Sequence, residues 1–231
     1  MIVSHKYKFI FIKTAKTAGT STEIALSRIC GPDDIITPFM ISEDEELRMS
    51  MGGRAPQHYL PKPRDHSVKG LIQWVWTRKR KPLLMSHSSA QEIKAHVGTL
   101  VWDTYFKFCF ERNPWDRVIS HYYFRHQSEP RPTLARYVAA QRFRRLKRAG
   151  IDLYTINGVV VVDRICRYEN LAADLDAVRR QLGIPEALEL PFAKSQFRLD
   201  RRSYRDILDD DQRTKIAEFF KDEINLMGYE F

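Results

Sequence analysis

The chain has 231 residues, with 38 Lys+Arg against 29 Asp+Glu for a formal net charge of +9. A hydrophobic share of 43% and an aromatic share of 12% exclude an intrinsically disordered chain and are enough for the core of one sizeable domain. The charge implies an anionic partner, whether nucleotide, nucleic acid, acidic polysaccharide or membrane surface.

The run from Tyr7 to Ile12 is rich in β-formers and predicts a strand, followed by a loop of small residues from Lys13 to Gly19 and an apolar-periodic helix from Thr20 to Ile29. Thr20 and Glu23 have the S/T-x-x-E spacing of a capping box, which sets the helix start. From Ser42 to about Lys81 periodicity dissolves into acidic, Gly/Pro-containing and basic pieces, a long functional loop with short helices. Leu83 to Ser86 reads as a short strand, Ser89 to Val97 as a helix and Tyr105 to Phe110 as a strand. Asn113 then caps a helix opened by Pro114 and running to about Phe124. A very basic helix is expected from Leu134 to Arg148, a strand from Val159 to Cys166, a helix from Leu171 to Leu182 stopped by Gly183 and Pro185, and a last helix from about Asp210 to Asn225. This alternation predicts one α/β domain over residues 1–231. Its layers are a mostly parallel central sheet and helices on both faces, with ligands bound at the carboxyl ends of the strands.

Cys30, Cys109 and Cys166 lie far apart without a Cys-x-x-Cys pair and read as reduced core residues. The apolar burst from Phe9 to Ile12 is closed by Lys13, too short for a secretory segment or a membrane span, so a soluble cytoplasmic protein is expected. No Cys/His cluster has zinc spacing and no Asp-rich loop fits calcium, so no metal is expected.

Two segments carry the chemistry. Thr14-Ala15-Lys16-Thr17-Ala18-Gly19-Thr20-Ser21 joins a strand to a helix N-terminus, where free amides and the helix dipole favour an anion. Small residues admit a phosphate close to the backbone, Lys16 adds a positive charge, and Thr20 and Ser21 add hydroxyls. The nucleotide-triphosphatase loop has two glycines ahead of its lysine; here the one glycine follows it. In the second segment, Arg112-Asn113-Pro114-Trp115-Asp116-Arg117-Val118-Ile119-Ser120, Arg112 ends a strand and Ser120 lies two turns into the helix, so a guanidinium fork and a hydroxyl can converge on one phosphate.

The first segment, Lys16 to Ser21 after a strand, resembles the 5′-phosphosulfate loop of sulfotransferases that use 3′-phosphoadenosine-5′-phosphosulfate (PAPS), especially the carbohydrate (heparan- and chondroitin-type) branch. The second is similar to the same family's 3′-phosphate motif. Tyr168-Glu169-Asn170-Leu171 and Gly228-Tyr229-Glu230-Phe231 extend the likeness over most of the chain, its weak region being the loop at about 42–81, where acceptor recognition is expected to vary. Thr14-Ala15 departs from it, because many relatives have a proline just before the lysine.

The resemblance implies a P-loop-like nucleotide-binding fold, PAPS as co-substrate and 3′,5′-adenosine bisphosphate as its product. It implies that Lys16 meets the oxygen bridging sulfur to the 5′-phosphate, that Thr17, Ala18, Gly19, Thr20 and Ser21 cradle that phosphate, and that Arg112 and Ser120 hold the 3′-phosphate. Lys194 and Ser195, with the basic run Arg198, Arg201 and Arg202, fall where relatives fold a loop over the nucleotide. A hydroxyl acceptor needs a base with a pKa near neutrality. His87, after the Leu83–Ser86 strand, is the candidate, with His121 and Glu111 as alternatives. Between His121 and Gly150 eight Lys and Arg (Arg125, Arg131, Arg136, Arg142, Arg144, Arg145, Lys147, Arg148) face one acid, which points to an anionic polysaccharide as acceptor. The competing readings are a P-loop small-molecule kinase, which lacks its motif here, and a basic nucleic-acid-binding module, whose aromatic stacking pattern is missing.

Overall fold

The computed structural model describes residues 1–60, 83–191 and 200–231. The strands among them are β1 (Ile2–Ser4), β2 (Phe9–Ile12), β3 (Ile35–Ile36), β4 (Phe106–Glu111), β5 (Thr155–Ile156), β6 (Val159–Val160) and β7 (Arg164–Arg167). Five form one sheet in the order β3-β1-β2-β4-β7, while β5 and β6 make a separate hairpin. The β2–β4 and β4–β7 pairs are parallel, and β1 runs against both its neighbours, so every strand of this sheet except β1 points the same way. The mostly parallel α/β sheet expected from the sequence is present; the reversed β1 was not foreseen.

The helices are α1 (Gly19–Ser27), α2 (Ser42–Ser50), α3 (Ala90–Thr104), α4 (Pro114–Arg125), α5 (Leu134–Ala139), α6 (Arg145–Arg148), α7 (Leu171–Gln181), α8 (Tyr204–Ile207), α9 (Asp210–Phe219) and α10 (Lys221–Met227). Strand β2 is buried at every position because both faces of the sheet are covered, the usual reason for an unbroken apolar run in a parallel sheet. Phe9 and Phe11 pack with Phe108, Phe110, Leu26 of α1, and Leu175 and Val178 of α7. On the opposite face Ile10 and Ile12 meet Cys109, Tyr154 and the α3 residues Ala90, Ile93 and Trp102. A third apolar cluster joins Trp115, Val118, Ile119 and Tyr122 of α4 to Tyr137, Phe143, Ile216 and Phe220, and so seats α4 on the C-terminal helices.

Several expected elements change shape for identifiable reasons. Residues 83–86 are bends leading into a turn and not a strand: the Tyr59 carbonyl accepts from the Leu83 amide, Ser86 Oγ donates to the Pro38 carbonyl, and there is no ladder partner among the described residues. The capping box expected at Thr20 does not form. Helix α1 starts at Gly19 after an uncapped Ala18, and Glu23 is drawn inward to Lys13 Nζ at 2.6 Å. A capping box does close at Ser89 and Glu92, opening α3, which runs past a kink at Gly98 (φ 80°).

The basic stretch 134–148 breaks into α5 and α6 around Gln141, whose φ is 48°. The run from Val159 to Cys166 splits because the Asp163 carboxylate leaves the ladder to take the Lys107 amide and ammonium, at 2.7 and 2.9 Å. The final helix divides at Phe220, whose buried ring packs on Phe143. The Asn113 cap is formed as expected, its Oδ1 accepting from the Trp115 and Asp116 amides behind Pro114.

Candidate active site

Strands β2, β4 and β7 lie side by side and end at one edge, and the polar segments singled out in the sequence leave the sheet there. After β2 the chain turns through Lys16 (φ 65°) and Ala18 (φ 58°), both in the left-handed region. A backbone of this kind gathers amide N–H groups on its concave side, and the free first-turn amides of α1 continue the array. Gly19 is needed for space. A Cβ there would stand 2.7 Å from Lys13 Cγ and 3.3 Å from the Thr14 carbonyl oxygen. Lys13 has no room to yield, because its ammonium is tied to Glu23 and lies 4.3 Å from the Phe39 ring centre. Burial alone would raise the Glu23 carboxyl, but Lys13, the N-terminal ammonium and Arg48 outweigh it and hold it well below the usual carboxylate range.

A cavity of about 1260 Å³ opens over this loop and is lined by Lys16, Ala18, Gly19, Thr20, Ser21, His87, Arg112 and Ser120. Most of the expected site residues therefore share one cleft. Thr17 is turned away from it: its hydroxyl bonds Thr14 Oγ1 at 2.8 Å and the Thr14 carbonyl at 3.1 Å, so only its main chain belongs to the cradle. Lys194, Ser195 and Arg198 lie outside the described residues, while Arg201 reaches the cleft.

Arg112 is 6% exposed. Its Nε and Nη2 donate to Asp116 at 2.8 and 2.6 Å, its Nη1 donates to the Lys16 carbonyl at 3.0 Å, and its plane lies 4.0 Å from the Tyr168 ring centre. It thus ties the second motif to the first loop and keeps further N–H donors for a ligand. Behind it Glu169 accepts the Asn113 amide at 2.7 Å. The sequence marked Tyr168 and Glu169 only as part of a resemblance. The signal for their role is their position just after β7, which ends at the same edge as β2 and β4.

Glu111 is not placed to act as a base. It is fully buried, paired with Arg117 at 2.7 Å and accepting from the Tyr154 hydroxyl at 2.9 Å, so its charge is committed inside the fold. Arg117, passed over in the sequence, is a brace. Besides Glu111 it donates to the carbonyls of Ala15 (3.0 Å), Leu146 (3.2 Å) and Ala149 (3.1 Å), and so fixes the phosphate loop to α6. Glu223 is also fully buried, with no other residue hydrogen-bonded to its carboxylate, and burial pushes it up to about 7.

His87 sits in the turn before α3 with Nδ1 2.8 Å from the Lys13 carbonyl. A carbonyl only accepts, so Nδ1 carries the proton and Nε2 keeps its lone pair. The ring is solvent-accessible through the cleft mouth, yet enough protein surrounds it that burial, with the nearby charges of Lys13 and the N-terminus, holds it at about 4. That is lower than the near-neutral base expected from the sequence, and an anion bound on the loop would raise it again. His121 also lines the cleft; burial and the adjacent Lys16 hold it at about 4, and its Nδ1 meets the Tyr137 hydroxyl. Lys16 itself places its ammonium 4.0 Å from the Phe124 ring centre.

The basic stretch is dispersed. Lys147 pairs with Asp222, Arg131 pairs with Glu129, Arg144 lies over Phe219, and Arg136 and Arg142 border a separate small depression. Of the eight cations, Arg145 alone lines the cleft. Among the described residues no group of three or more His, Cys, Asp or Glu is arranged to hold a metal ion, and no helix is long and apolar enough to cross a membrane.

A cleft at the carboxyl edge of parallel strands, with a loop of left-handed turns at one strand end and an arginine at the next, lies where open α/β sheets bind their ligands. The sulfotransferase family model matches residues 1–155, more than half the chain, and the chain belongs to that family. It is also similar to an uncharacterized protein of Archaeoglobus fulgidus, 34% identical over 101 residues that cover 42% of this chain and 84% of that protein. No solved structure matches.

Proposed function

We propose that the protein transfers the sulfuryl group of PAPS to a hydroxyl, with a carbohydrate as the acceptor class implied by the sequence resemblance. The observation that carries this reading is the convergence of the Lys16 loop, Arg112, Ser120 and His87 on one cleft. The donor fits the residues present. The amides from Lys16 to Ser21 receive the 5′-phosphate in a P-loop-like manner, and Arg112 with Ser120 receives the 3′-phosphate.

In an in-line displacement the bond from sulfur to the bridging oxygen breaks as the acceptor oxygen bonds to sulfur. His87 Nε2 takes the hydroxyl proton, and the Lys16 ammonium, leaving the Phe124 face, neutralises charge gathering on the bridging oxygen. A preorganised donor of this kind contributes about 3 kcal/mol to the transition state.

Calorimetry with 3′,5′-adenosine bisphosphate, with ATP plus Mg²⁺ and with an oligonucleotide tests the reading. The bisphosphate binds most tightly, and Arg112→Lys weakens it by about tenfold to a hundredfold, since one ammonium replaces a charge-assisted fork. Tighter binding of ATP or of the oligonucleotide overturns it.

A further inference from the structure

The cleft has two unlike walls. On the side of α4 and α6 it is cationic, with Lys16, Arg112 and Arg145. On the side of His87 it is formed by Phe39, Met40 and Ile41, and the charged residues near them in the described lining are Asp44 and Lys13, whose ammonium is paired with Glu23. This second wall is held firmly. The Pro38 carbonyl accepts from Ser86 Oγ at 2.8 Å, the Phe39 amide donates to Glu45 at 2.5 Å, and the Phe39 ring lies between Lys13 Nζ at 4.3 Å and the Arg48 guanidinium at 3.9 Å.

Both cations are committed to acids. Lys13 is paired with Glu23, and Arg48, fully buried, is paired with Glu23 and Glu45. Met40 is nevertheless 88% exposed and Ile41 36% exposed, and both line the cleft that His87 also lines. A lone exposed apolar residue is ordinary, but two adjoining ones on a pinned segment lining a reaction cleft form a binding surface.

We propose that this wall is the acceptor subsite and selects an uncharged hydroxyl compound bearing an apolar chain or ring, whose carbon skeleton lies on Met40 and Ile41 while its hydroxyl meets His87. The inference rests on the sulfotransferase reading and narrows it. A polyanion would pass beside Asp44 and an apolar surface, with the basic stretch mostly turned elsewhere.

Hexyl glucoside, methyl glucoside and an acidic oligosaccharide separate the alternatives, each titrated by calorimetry with and without 3′,5′-adenosine bisphosphate and then assayed for KM with PAPS. Hexyl glucoside should bind about tenfold tighter than methyl glucoside, the gain from burying about two methylenes. Met40→Ser with Ile41→Ser should erase that preference and leave the affinity for the bisphosphate unchanged; Met40 is 88% exposed and Ile41 36%, and the unchanged bisphosphate affinity reports that the double variant is folded. Equal affinity for the two glucosides, a preference that survives the double substitution, or tightest binding of the acidic oligosaccharide overturns the proposal. Failure of the bisphosphate to bind counts against the sulfotransferase reading alone, because the hexyl preference is also read without nucleotide.

Discussion

Glu223→Gln isolates one buried charge. The Glu223 carboxyl is fully enclosed; burial raises it from 4.5 to about 7, Glu111 pushes the same way, and its own backbone amide, Arg117 and Lys147 recover only part. Because the folded value lies above the unfolded one, the favourable contribution is complete below about pH 4.5. It is lost as pH climbs toward 7, at about 1.4 kcal/mol per pH unit. The total is about 3 kcal/mol, and above pH 7 the wild type has lost all of it. Glutamine cannot ionise, so the variant should gain on the wild type by about 3 kcal/mol between about pH 4.5 and 7.5 and by nothing further above that. In a chain of this length the gain corresponds to a Tm difference of about 10 °C. Urea denaturation of both proteins across this range measures it. Stability curves that stay parallel to within about 0.5 kcal/mol would refute the assignment of a displaced carboxyl.

Three further substitutions probe the cleft and its support. Arg117→Met leaves the Glu111 carboxylate buried without its partner and should cost about 3–5 kcal/mol in chemical denaturation, with weaker bisphosphate binding because Ala15 loses its tether; a cost under about 1 kcal/mol would mean the brace is dispensable. Lys16→Ala should lower kcat by about a hundredfold to a thousandfold while calorimetry finds bisphosphate affinity nearly intact, since the lysine acts mainly as the bond breaks; a full rate in the variant removes its role. His87→Ala should reduce turnover by at least about a hundredfold at neutral pH. In the wild type the neutral imidazole is the base and the ligand-free ring is held at about 4, so kcat/KM for PAPS, which reports the free enzyme, should stay level through neutrality and fall only as pH drops toward that value. A fall centred near neutrality would assign the base elsewhere.

Much of the site was legible because strand-to-helix junctions leave strong local marks. Lys16 to Ser21 and Arg112 to Ser120 each combine a strand end, small or capping residues and a helix start, and local chemistry decides such features. Long-range partners leave no such mark. Glu23 has the spacing of a cap, but Lys13, folded beneath it, competes for the carboxylate and wins. Glu111 beside Arg112 invites a catalytic reading that Arg117 and Tyr154 overrule from distant positions. The Leu83–Ser86 segment carries a strand's composition without a neighbour to pair with, and the split at Asp163 depends on Lys107 from another strand. A charge count over Arg125 to Arg148 records how many cations are present. It does not record that α5 and α6 aim them in different directions.

The parallel alignment of β2, β4 and β7 has an evolutionary consequence. The Lys16 loop and Arg112 follow directly on β2 and β4, so this half of the cleft is fixed by the same hydrogen-bond register that holds the sheet together. The opposite wall is held from outside the sheet register, by Ser86 on the Pro38 carbonyl, by Glu45 on the Phe39 amide and by the packing of the Phe39 ring. Side chains at Met40 and Ile41 can therefore be exchanged without touching the register, and a lineage could move from one acceptor to another by surface substitution while its donor chemistry and folding stayed as they were.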